Sequence, residues 1–419
     1  MAKVFHSEVF GLREQKYDWL NNNSIQSIEW NKLEPQKEFF LFIPQDQKLQ
    51  KIYQSFEKIT DIFPLNSVGV VTSRDSFVID VDKKKLKKRI KQFLDKNFDN
   101  DLLKQTYGLK ENKNWKIGER RIKLRKDEDW KKSITKILYR PFDVQWIFYN
   151  DEMIERSRKE IMQHMLEDNI SLCFMRQVSS SEYFSQILVS KHMVDNRTFF
   201  SSRGIIQQAP LYIYPNMDKT DLFSEHESGE KKPNINPDLF EELKISYKKD
   251  ITPEEIFYYI YSVLYSNIYR TKYAEFLKID FPRVPFTKNY KLFTQFGKLG
   301  KQLADLHLLK SKTLEKTISK FPISGNNKVE KPRFDGAQRD DGKVWLNKEQ
   351  YFDGIKEEVW EYQIGGYQVC SKWLKDRKGR ILSLEEIQTY CKIVTSISKT
   401  IELQKDIDEL YNILEQPGK

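Results

Sequence analysis

The chain has 419 residues, of which 32% are charged and 13% aromatic, and its formal net charge is +10. This length suffices for two or three domains with a sizeable buried core. The aromatic content argues against intrinsic disorder, and the sequence lacks the apolar run of about 18 residues or more that a membrane-spanning helix needs.

The cysteines and the first residues bear on the cellular compartment. Cys173, Cys370 and Cys391 are odd in number, far apart and in no CxxC pair, so neither a disulfide framework nor a thiolate zinc site is expected. The opening stretch, MAKVFHSEVFG, contains no apolar segment typical of a secretory signal. We therefore expect a protein of the reduced cytoplasm.

The first third of the chain mixes helical and strand patterns. Residues 1–34 predict a helical or irregular lead-in, residues 39–43 (FFLFI) a buried strand, and residues 49–59 a short amphipathic helix. Residues 68–72 and 77–81 predict a hairpin across the sequence SRDS.

The positive charge is concentrated in the next segment. Residues 83–136 hold 20 Lys and Arg against 8 Asp and Glu, whereas the rest of the chain holds 51 against 53. Such a concentrated field favours a polyanion, because each neutralised phosphate releases condensed counterions. The alternative for residues 83–98 is a solvated helix face, since Leu86, Ile90 and Phe93 recur at helical spacing. Both interpretations stay open.

Strand signals dominate between residues 134 and 215. Segments 134–139 and 144–149 predict two strands joined at Arg140-Pro141-Phe142-Asp143. Further predicted elements are a helix at 155–166 and strands at 170–176, 183–190 and 211–214. We expect a mixed α/β lobe over residues 36–215, followed by a polar surface loop or hinge at 216–234.

Residues 235–419 predict mainly helices. Asn236 and Pro237 fit an N-cap followed by proline at the first helical position, and Thr252 with Glu255 forms a capping box. Along the second of these helices an aromatic residue recurs every four positions, at Phe257, Tyr261, Tyr265, Tyr269 and Tyr273. Such a stripe could stack on DNA bases, but packing into the core is the favoured interpretation of this spacing.

The remaining elements complete the predicted fold. They are a helix at 292–309, a surface segment at 321–341, short strands at 343–346 and 358–364, a basic helix at 368–377 and, after a second capping box beginning at Ser383, a helix to about residue 414. We therefore expect an α+β, two-lobed fold, with a mixed-sheet N-terminal lobe and a largely helical C-terminal region.

Several catalytic signatures are absent from the sequence. It contains no GxxxxGK[ST] phosphate loop, no glycine-rich turn suited to a nucleotide cofactor, and no Asn-Pro-Pro-aromatic motif of the kind with which amino-methyltransferases bind a target base. The five histidines share no metal-ligand spacing, and His164 and His307 lie in apolar helical contexts where packing is expected rather than catalysis.

Two carboxylate–lysine sets have the residue types of a metal-dependent nuclease. They are Asp221, Glu230 and Lys232, and Asp335, Asp341 and Lys343. Both sets are predicted in loops, without a strand that would align metal ligands, so a nuclease site is the less favoured interpretation. We expect no metal site.

The region between residues 176 and 208 is rich in side chains that can recognise bases. Arginine pairs with guanine O6 and N7, and glutamine with adenine N6 and N7, so these residues on strand ends and loops suit the major groove. The residues concerned are Arg176, Gln177, Lys191, Asn196, Arg197, Arg203, Gln207 and Gln208. An ordinary polar loop system on a mixed sheet explains the same composition equally well.

Nine blocks of the sequence together resemble one family. They are AKVFHSEVFGLREQKYDWL, FFLFIPQD, ITDIFPLNSVGVVTSRD, LYRPFDVQWIFY, MQHML, PLYIYP, FPRVPF, ADLHLL and GGYQVCSKWLKDRKGRILSLEEI. They run in the family's order from about Val4 to Leu410, and their joint occurrence is specific although no single block is diagnostic. The family is the C-terminal specificity region of type ISP restriction–modification enzymes and their adenine-specific methyltransferase relatives.

The resemblance implies a target recognition domain that binds a short asymmetric site in the major groove of duplex DNA. In the family this region follows an N6-adenine methyltransferase domain, which flips the target adenine and transfers methyl from S-adenosylmethionine. Residues 1–35 would be the junction to that domain. The implied partners are double-stranded DNA and a methyltransferase domain or subunit, with no membrane, and the cofactor belongs to the methyltransferase. This chain offers no position matching the family's catalytic residues and is expected to hold no cofactor.

The leading hypothesis is therefore a DNA specificity module. The candidate base contacts are Arg176, Gln177, Arg197, Arg203 and Gln208. The candidate phosphate contacts are Arg121, Arg125, Lys191, Lys375 and Arg377. A stand-alone nuclease with an unrecognised site, whose cleavage Asp335→Ala would abolish, and an interaction subunit that binds a methyltransferase without touching DNA remain the alternatives.

Overall fold

The computed structural model describes residues 3–35, 40, 42, 44, 46–179, 182–215, 230–336 and 341–416. The chain divides into two compact units, Met1–Ser55 and Phe56–Lys419. Of the buried strand predicted at 39–43 the structure describes Phe40 and Phe42, and both are exposed and in no strand, against the prediction. Most of the hinge predicted at 216–234 lies outside the described residues. The predicted domain boundaries therefore stay predictions.

The first unit is small. Its elements are β1 (Val4–His6), α1 (Arg13–Asn22), β2 (Asn31–Leu33) and α2 (Gln47–Gln54). The strands β1 and β2 pair antiparallel. Helix α2 begins after Asp46, whose carboxylate accepts hydrogen bonds from two amides of the first turn and so caps the helix.

The second unit contains the long helices. Its helices are α3 (Ile59–Ile62), α4 (Asp75–Val78), α5 (Lys83–Leu94), α6 (Asn100–Tyr107), α7 (Ile117–Leu124), α8 (Lys159–Met162), α9 (Pro237–Tyr247), α10 (Pro253–Tyr265), α11 (Asn267–Lys272), α12 (Ala274–Leu277), α13 (Tyr290–His307), α14 (Glu357–Glu361), α15 (Val369–Lys375) and α16 (Leu384–Leu414). Among the described residues, none of these helices combines the length and the apolar character that crossing a bilayer requires.

The predicted helix caps are confirmed. Asn236 caps α9 with its side-chain oxygen. In α10 the hydroxyl of Thr252 accepts from the amide of Glu255 at 3.2 Å, and the Glu255 carboxylate accepts from the Thr252 amide at 2.8 Å. Ser383 and Glu386 form the same reciprocal pair at the start of α16. These helix starts are specified by local sequence.

The aromatic stripe packs in the core, as its spacing favoured. All five of its members, Phe257, Tyr261, Tyr265, Tyr269 and Tyr273, are buried. The single long helix expected there is interrupted at Ser266, whose hydroxyl accepts from the Tyr269 amide at 3.2 Å and caps α11. The Tyr265 hydroxyl donates to the carbonyl of Ile187 at 2.9 Å, so a buried polar group is satisfied.

The strands of the second unit are short and form small sheets. They are β3 (Glu57–Lys58), β4 (Ser67–Val68), β5 (Ile79–Asp80), β6 (Ile134–Arg140), β7 (Asp143–Phe148), β8 (Ser171–Met175), β9 (Leu188–Ser190), β10 (Met193–Val194), β11 (Ile206–Pro210), β12 (Tyr212–Ile213), β13 (Lys232–Pro233), β14 (Arg283–Val284), β15 (Arg333–Asp335), β16 (Gly342–Trp345), β17 (Tyr351–Ile355), β18 (Gln363–Ile364) and β19 (Tyr367–Gln368).

Two four-stranded sheets form the strand-rich part of the unit. Their strand orders are β10-β6-β7-β5, in which only β10 and β6 run parallel, and β4-β11-β8-β9, which is antiparallel. The β6–β7 hairpin predicted across Arg140-Pro141-Phe142-Asp143 is confirmed. Strands β15, β16 and β17 form a third antiparallel sheet. The expected α+β fold, with sheets in the N-terminal half and long helices toward the C-terminus, is therefore confirmed.

Three local predictions are wrong. The hairpin of 68–72 with 77–81 does not form, because Val68 pairs with Gln207 of β11 and Ile79 pairs with Ile147 of β7. The strand predicted at 358–364 is helix α14 followed by the two-residue β18. The helix predicted at 155–166 is reduced to α8 and one turn of 3-10 helix. Long-range pairing and burial outweigh local propensity in these segments.

Candidate nucleic-acid interface

Gln208, a predicted base contact, is fully buried in β11. Its side-chain amide donates to the Ser171 hydroxyl at 2.7 Å and to the His192 carbonyl at 2.8 Å, and its oxygen accepts from the Val194 amide at 3.2 Å. The side chain has no free hydrogen-bonding capacity directed at solvent. The prediction that Gln208 contacts a base is corrected, because the buried side chain links β11 to β8 and to β10 of the other four-stranded sheet.

Arg121, a predicted phosphate contact, is also buried. Its guanidinium donates to the carbonyls of Phe93, Asp95 and Phe98 at 2.6–2.7 Å and to Asn100 at 2.6 Å, and so binds the C-terminal end of α5. Burial lowers the pKa of Arg121. The prediction is corrected, since this guanidinium replaces a helix cap and cannot reach a phosphate.

Arg125 directly follows the last residue of α7 and is half-buried. Its Nε donates to the Leu94 carbonyl at 2.7 Å. Part of its guanidinium is therefore engaged at the same helix end. A phosphate contact by Arg125 stays a prediction.

Arg377, a third predicted contact, is buried in an ion-pair network. Its Nη2 lies 2.7 Å from an oxygen of Asp143, its Nε lies 3.4 Å from Glu386, and its guanidinium carbon lies 3.4 Å from the ring centre of Trp373. Asp143 is itself buried in the β6–β7 hairpin. The prediction is corrected, because Arg377 joins the end of α15 to this hairpin.

The other four predicted base contacts are accessible to solvent. Arg176 and Gln177 follow β8, and Arg197 and Arg203 lie on the segment between β10 and β11. Because Met175 and Ile206 are paired neighbours in one sheet, the loops leaving these two strands meet at the same end. We call residues 176–177, 196–205 and 364–367 together the loop surface.

A glycine lets two of these loops approach each other closely. A Cβ atom on Gly204 would lie 2.1 Å from the carbonyl oxygen of Gln177 and 2.5 Å from the sulfur of Met175. Only glycine fits without displacing the neighbouring backbone. Gly204 therefore holds Arg203 next to the segment that carries Arg176.

The Gly365-Gly366 turn supports the loop surface from far along the chain. Both glycines have positive φ, +62° and +76°. The Gly365 carbonyl accepts from the Phe200 amide at 2.6 Å, and the Tyr367 hydroxyl donates to the Arg197 carbonyl at 3.2 Å. The exposed Phe200 ring lies 6.0 Å from the Tyr367 ring. The loop surface therefore contains the aromatic rings of Phe200 and Tyr367 as well as arginine side chains.

A buried carboxylate anchors the same loop from below. Asp195 accepts from the Arg197 amide at 3.0 Å and from Arg140 Nη1 at 2.9 Å. The Arg140 guanidinium lies 3.9 Å from the ring centre of Tyr139. Burial, and then the nearby Asp75 carboxylate, raise the pKa of Asp195 to about 6. The arginine beneath the loop is thus paired, whereas Arg197 and Arg203 face solvent.

The remaining predicted phosphate contacts are accessible. Lys191 lies in the turn between β9 and β10, where its Nζ is 3.4 Å from a carboxylate oxygen of Asp168. Lys375 is exposed at the last residue of α15. Neither residue belongs to the loop surface, so phosphate contacts there would lie outside the base-contacting loops.

The basic segment at 83–136 is amphipathic where it is helical. Leu86, Ile90 and Phe93 of α5 are buried in the core, while most lysines of the helix are exposed. Lys83 and Lys136 place their Nζ atoms 4.2 and 3.8 Å from the ring centre of Trp146. The apolar stripe is thus explained by a helix that buries one face and exposes its lysines to solvent. That these lysines bind a polyanion stays a prediction.

The described residues contain no group of three His, Cys, Asp or Glu side chains arranged to hold a metal ion. Asp221 lies outside the described residues. Asp335 of β15 pairs with Lys343 of β16 at the edge of a sheet. His307 is packed between aromatic rings, and burial lowers its pKa to about 3.

The sequence analysis did not propose three accessible residues that lie near the candidate contacts: Phe200, Tyr367 and Lys310. For Phe200 a signal existed, because an aromatic residue within the polar run RTFFSSRG is unusual. Tyr367, after Gly365-Gly366, and Lys310, after α13, carry no local signal, because their positions depend on contacts with distant segments.

The fold is similar to solved structures of larger proteins. One is a nuclease-deletion mutant of the type ISP restriction–modification enzyme LlaGI in complex with a DNA substrate mimic (20% identity, TM-score 0.66, 96% of this chain and 33% of that chain). Another is the DrdV–DNA complex solved by electron cryomicroscopy (20%, 0.67, 94% and 42%). A third is the ATP-dependent type ISP restriction–modification enzyme LlaBIII bound to DNA (20%, 0.65, 93% and 26%).

This chain thus spans less than half the length of each of these proteins. No curated protein sequence matches it. Residues 61–406, which include the loop surface and both four-stranded sheets, match the family described as the type ISP C-terminal specificity domain. Because the match covers well over half of the sequence, the chain belongs to the family of type ISP C-terminal specificity domains.

Proposed function

We propose that this chain recognises a short sequence of duplex DNA and thereby directs N6-adenine methylation and restriction that other domains or subunits perform. The loop surface is the observation that carries the proposal. It presents Arg176, Arg197 and Arg203 to solvent from loops that meet at one end of a sheet. Arginine forms the commonest specific contact with guanine in the major groove.

Family membership and the residues present support a division of tasks, in which this chain binds DNA and another domain or subunit transfers the methyl group. The related structures contain DNA, which supports duplex DNA as the partner. Base flipping needs a firm hold on the flanking duplex, and exposed lysines such as Lys191 and Lys375 suit that task. S-adenosylmethionine would bind to the associated methyltransferase, and this chain would supply position and sequence preference.

The experiment that tests the proposal is selection from a pool of randomised duplexes with the purified full chain, alone and mixed with a type ISP methyltransferase domain. We expect enrichment of one short asymmetric sequence, and weakened but detectable binding to unrelated duplexes. Enrichment of no sequence under either condition, at salt concentrations where the wild-type chain binds duplex, would contradict sequence recognition.

Replacing Arg203 with alanine is expected to relax preference at one position of the selected sequence. A bidentate arginine–guanine contact contributes about 1–3 kcal/mol of discrimination. Competition between duplexes that differ at single positions measures this loss. Lys298→Ala removes one positive charge from an exposed position outside the loop surface and should leave the preference intact. An equal loss of affinity for every sequence would assign Arg203 to the backbone instead.

Replacing Lys375 with alanine is expected to weaken binding to all duplexes alike. A single lost phosphate contact lowers the slope of log affinity against log salt by about one, because fewer counterions are released. Titrations at several salt concentrations with selected and unrelated duplexes measure the slope. A change of preference among sequences, at an unchanged slope, would be inconsistent with a phosphate contact.

A further inference from the structure

Two lysines from distant elements line two adjoining cavities outside the loop surface, which together are called the pocket. Lys191 lies in the turn between β9 and β10, and Lys310 lies just beyond α13. Two cavities of about 130 and 200 Å³ share Lys191, Leu308 and Lys310 in their walls. Lys191 thus comes from the strand-rich part of the unit and Lys310 from the end of a long helix, and Lys231 lines the larger cavity as well.

The turn that carries Lys191 is held from inside the protein. The Ser190 hydroxyl donates to the His192 carbonyl at 2.7 Å and accepts from the His192 amide at 3.0 Å. The buried amide of Gln208 donates to the same carbonyl at 2.8 Å. Gln208 is therefore a positioning residue for Lys191.

The segment that carries Lys310 is equally well defined. Leu309 has a φ of +54°, a left-handed conformation that is unfavourable for a residue with a branched side chain. The Lys310 amide donates to the Asp305 carbonyl at 2.8 Å, and the Leu309 amide donates to the Leu306 carbonyl at 3.0 Å. The chain thus turns sharply at the end of α13, and Lys310 lines the pocket.

The positive charge is poorly compensated in the smaller cavity, because no carboxylate lines its wall, whereas Asp168, Glu254 and Asp305 line the larger cavity. Lys310 forms no ion pair with any residue that the structure describes. The Asp168 carboxylate next to Lys191 is 93% exposed and therefore well solvated, and Asp305 is bound by Lys301 at 2.7 Å. Burial, and then the Lys191 ammonium, lower the pKa of Lys310 to about 8.

Groups of both signs surround the two lysines in the larger cavity. The Glu254 carboxylate accepts from the Tyr212 hydroxyl at 2.6 Å, and Lys231 Nζ lies 3.9 Å from the ring centre of Tyr212. Burial, and then Lys136, Lys191 and Lys310, lower the pKa of His192 to about 4, so the imidazole is neutral at pH 7. The smaller cavity, whose wall holds Lys191 and Lys310 and no carboxylate, favours an oxyanion between the two ammonium groups.

We propose that one phosphate group of the DNA backbone binds between Lys191 and Lys310. A phosphate oxygen between the two ammonium groups would replace their mutual repulsion with two charge-assisted hydrogen bonds. The inference rests on the proposed function and deepens it, because it assigns a backbone contact to the end of α13. DNA held at the loop surface and at this pocket would be in contact with both the strand-rich and the helical parts of the unit.

The salt dependence of binding tests the shared phosphate. Lys191→Gln, Lys310→Gln and the double variant of the full chain are titrated with a duplex that contains the selected sequence. Each single variant is expected to lose affinity by about tenfold and to lower the salt slope by less than one, because the other lysine still neutralises the phosphate. The double variant should lower the salt slope by about one in total, because both lysines contact one phosphate. Lys298→Gln, an exposed lysine of α13, removes the same charge and should match the wild type.

The outcomes separate this site from the function on which it rests. A wild-type chain that binds no duplex would contradict the proposed function itself. A wild-type chain that binds, with both single variants matching Lys298→Gln, would overturn the phosphate site and leave the function standing. A double variant whose salt slope falls by about two would overturn the sharing of one phosphate.

Lysine acetylation followed by mass spectrometry distinguishes the source of the phosphate. Duplex DNA is expected to protect Lys191 and Lys310 from acetylation, while Lys298 reacts equally with and without DNA. Protection by inorganic phosphate as well would agree with the same chemistry. Protection by inorganic phosphate but not by duplex, at matched ionic strength, would overturn the assignment to DNA in favour of a small phosphorylated ligand.

Discussion

Replacing Arg377 with alanine should lower the free energy of unfolding by about 3–5 kcal/mol, because it leaves a buried carboxylate without its partner. Asp143, the residue it pairs with at 2.7 Å, is 1% exposed and cannot recover hydration from solvent. The substitution also removes the guanidinium that packs on Trp373. Denaturant titration followed by circular dichroism measures the change.

Lys375→Ala is the matched control for Arg377→Ala. It removes the same charge two residues away from an exposed position, so the free energy of unfolding should change by no more than about 0.5 kcal/mol. The two variants are thus expected to separate stability from DNA binding. An Arg377→Ala protein of wild-type stability whose salt slope for DNA binding is reduced would show that Arg377 contacts phosphate after all.

Replacing Gly300 with alanine should destabilise the protein by about 1–3 kcal/mol, although alanine favours helices. A Cβ atom on Gly300 would lie 1.9 Å from the carbonyl oxygen of Tyr258 in α10, so the two helices must separate. Helix α13 leads directly to Lys310, and a shift of its C-terminal part would also move that side chain. Chemical denaturation and the salt slope of DNA binding together measure both effects.

Gly297→Ala tests the same helix one turn earlier. The nearest atom to its added Cβ is the carbonyl oxygen of Glu255 at 3.7 Å, an ordinary contact. Only the helix preference of alanine then remains, and the variant should be more stable by up to about 1 kcal/mol. Equal effects of the two substitutions would contradict the close approach of α10 and α13 at Gly300.

Helices were predictable here because their signals are local. The capping boxes at Thr252 and Ser383 need only residues three positions apart, and both form as expected. The aromatic stripe that follows Thr252 packs as its four-residue spacing indicated. The break at Ser266 was not predictable in the same way, because the Ser266 hydroxyl also donates to Asp408 of α16, far along the chain.

The short strands were harder to predict because their partners are distant. Strand β4 has two residues and pairs with β11, and β10 has two residues and pairs with β6. A two-residue strand carries almost no alternation in its own sequence, so its existence depends on the neighbour that supplies hydrogen bonds. The long hairpin of β6 and β7 carries that alternation and was predicted.

Residue type alone does not separate the exposed candidate contacts from the buried ones. Arg203 and Gln208 are five residues apart, both suit base contacts, and one is exposed while the other is buried in the sheet. Arg121 and Arg377 look like phosphate contacts in the sequence, but each is surrounded by acceptors from segments that only the fold brings near. Composition therefore indicates a region for the candidate interface, and burial shows which of its residues solvent can reach.

The turn at Gly365-Gly366 has a consequence for synthesis of the protein. The ribosome makes residues 196–205 long before this turn, and domains generally begin to fold from the N-terminal side as the chain emerges. Until Gly365 is made, the Phe200 amide lacks the carbonyl that it binds and Tyr367 cannot bind Arg197. A nascent chain that stalls before Gly365 can form the sheet of β8 and β11 without a finished loop surface.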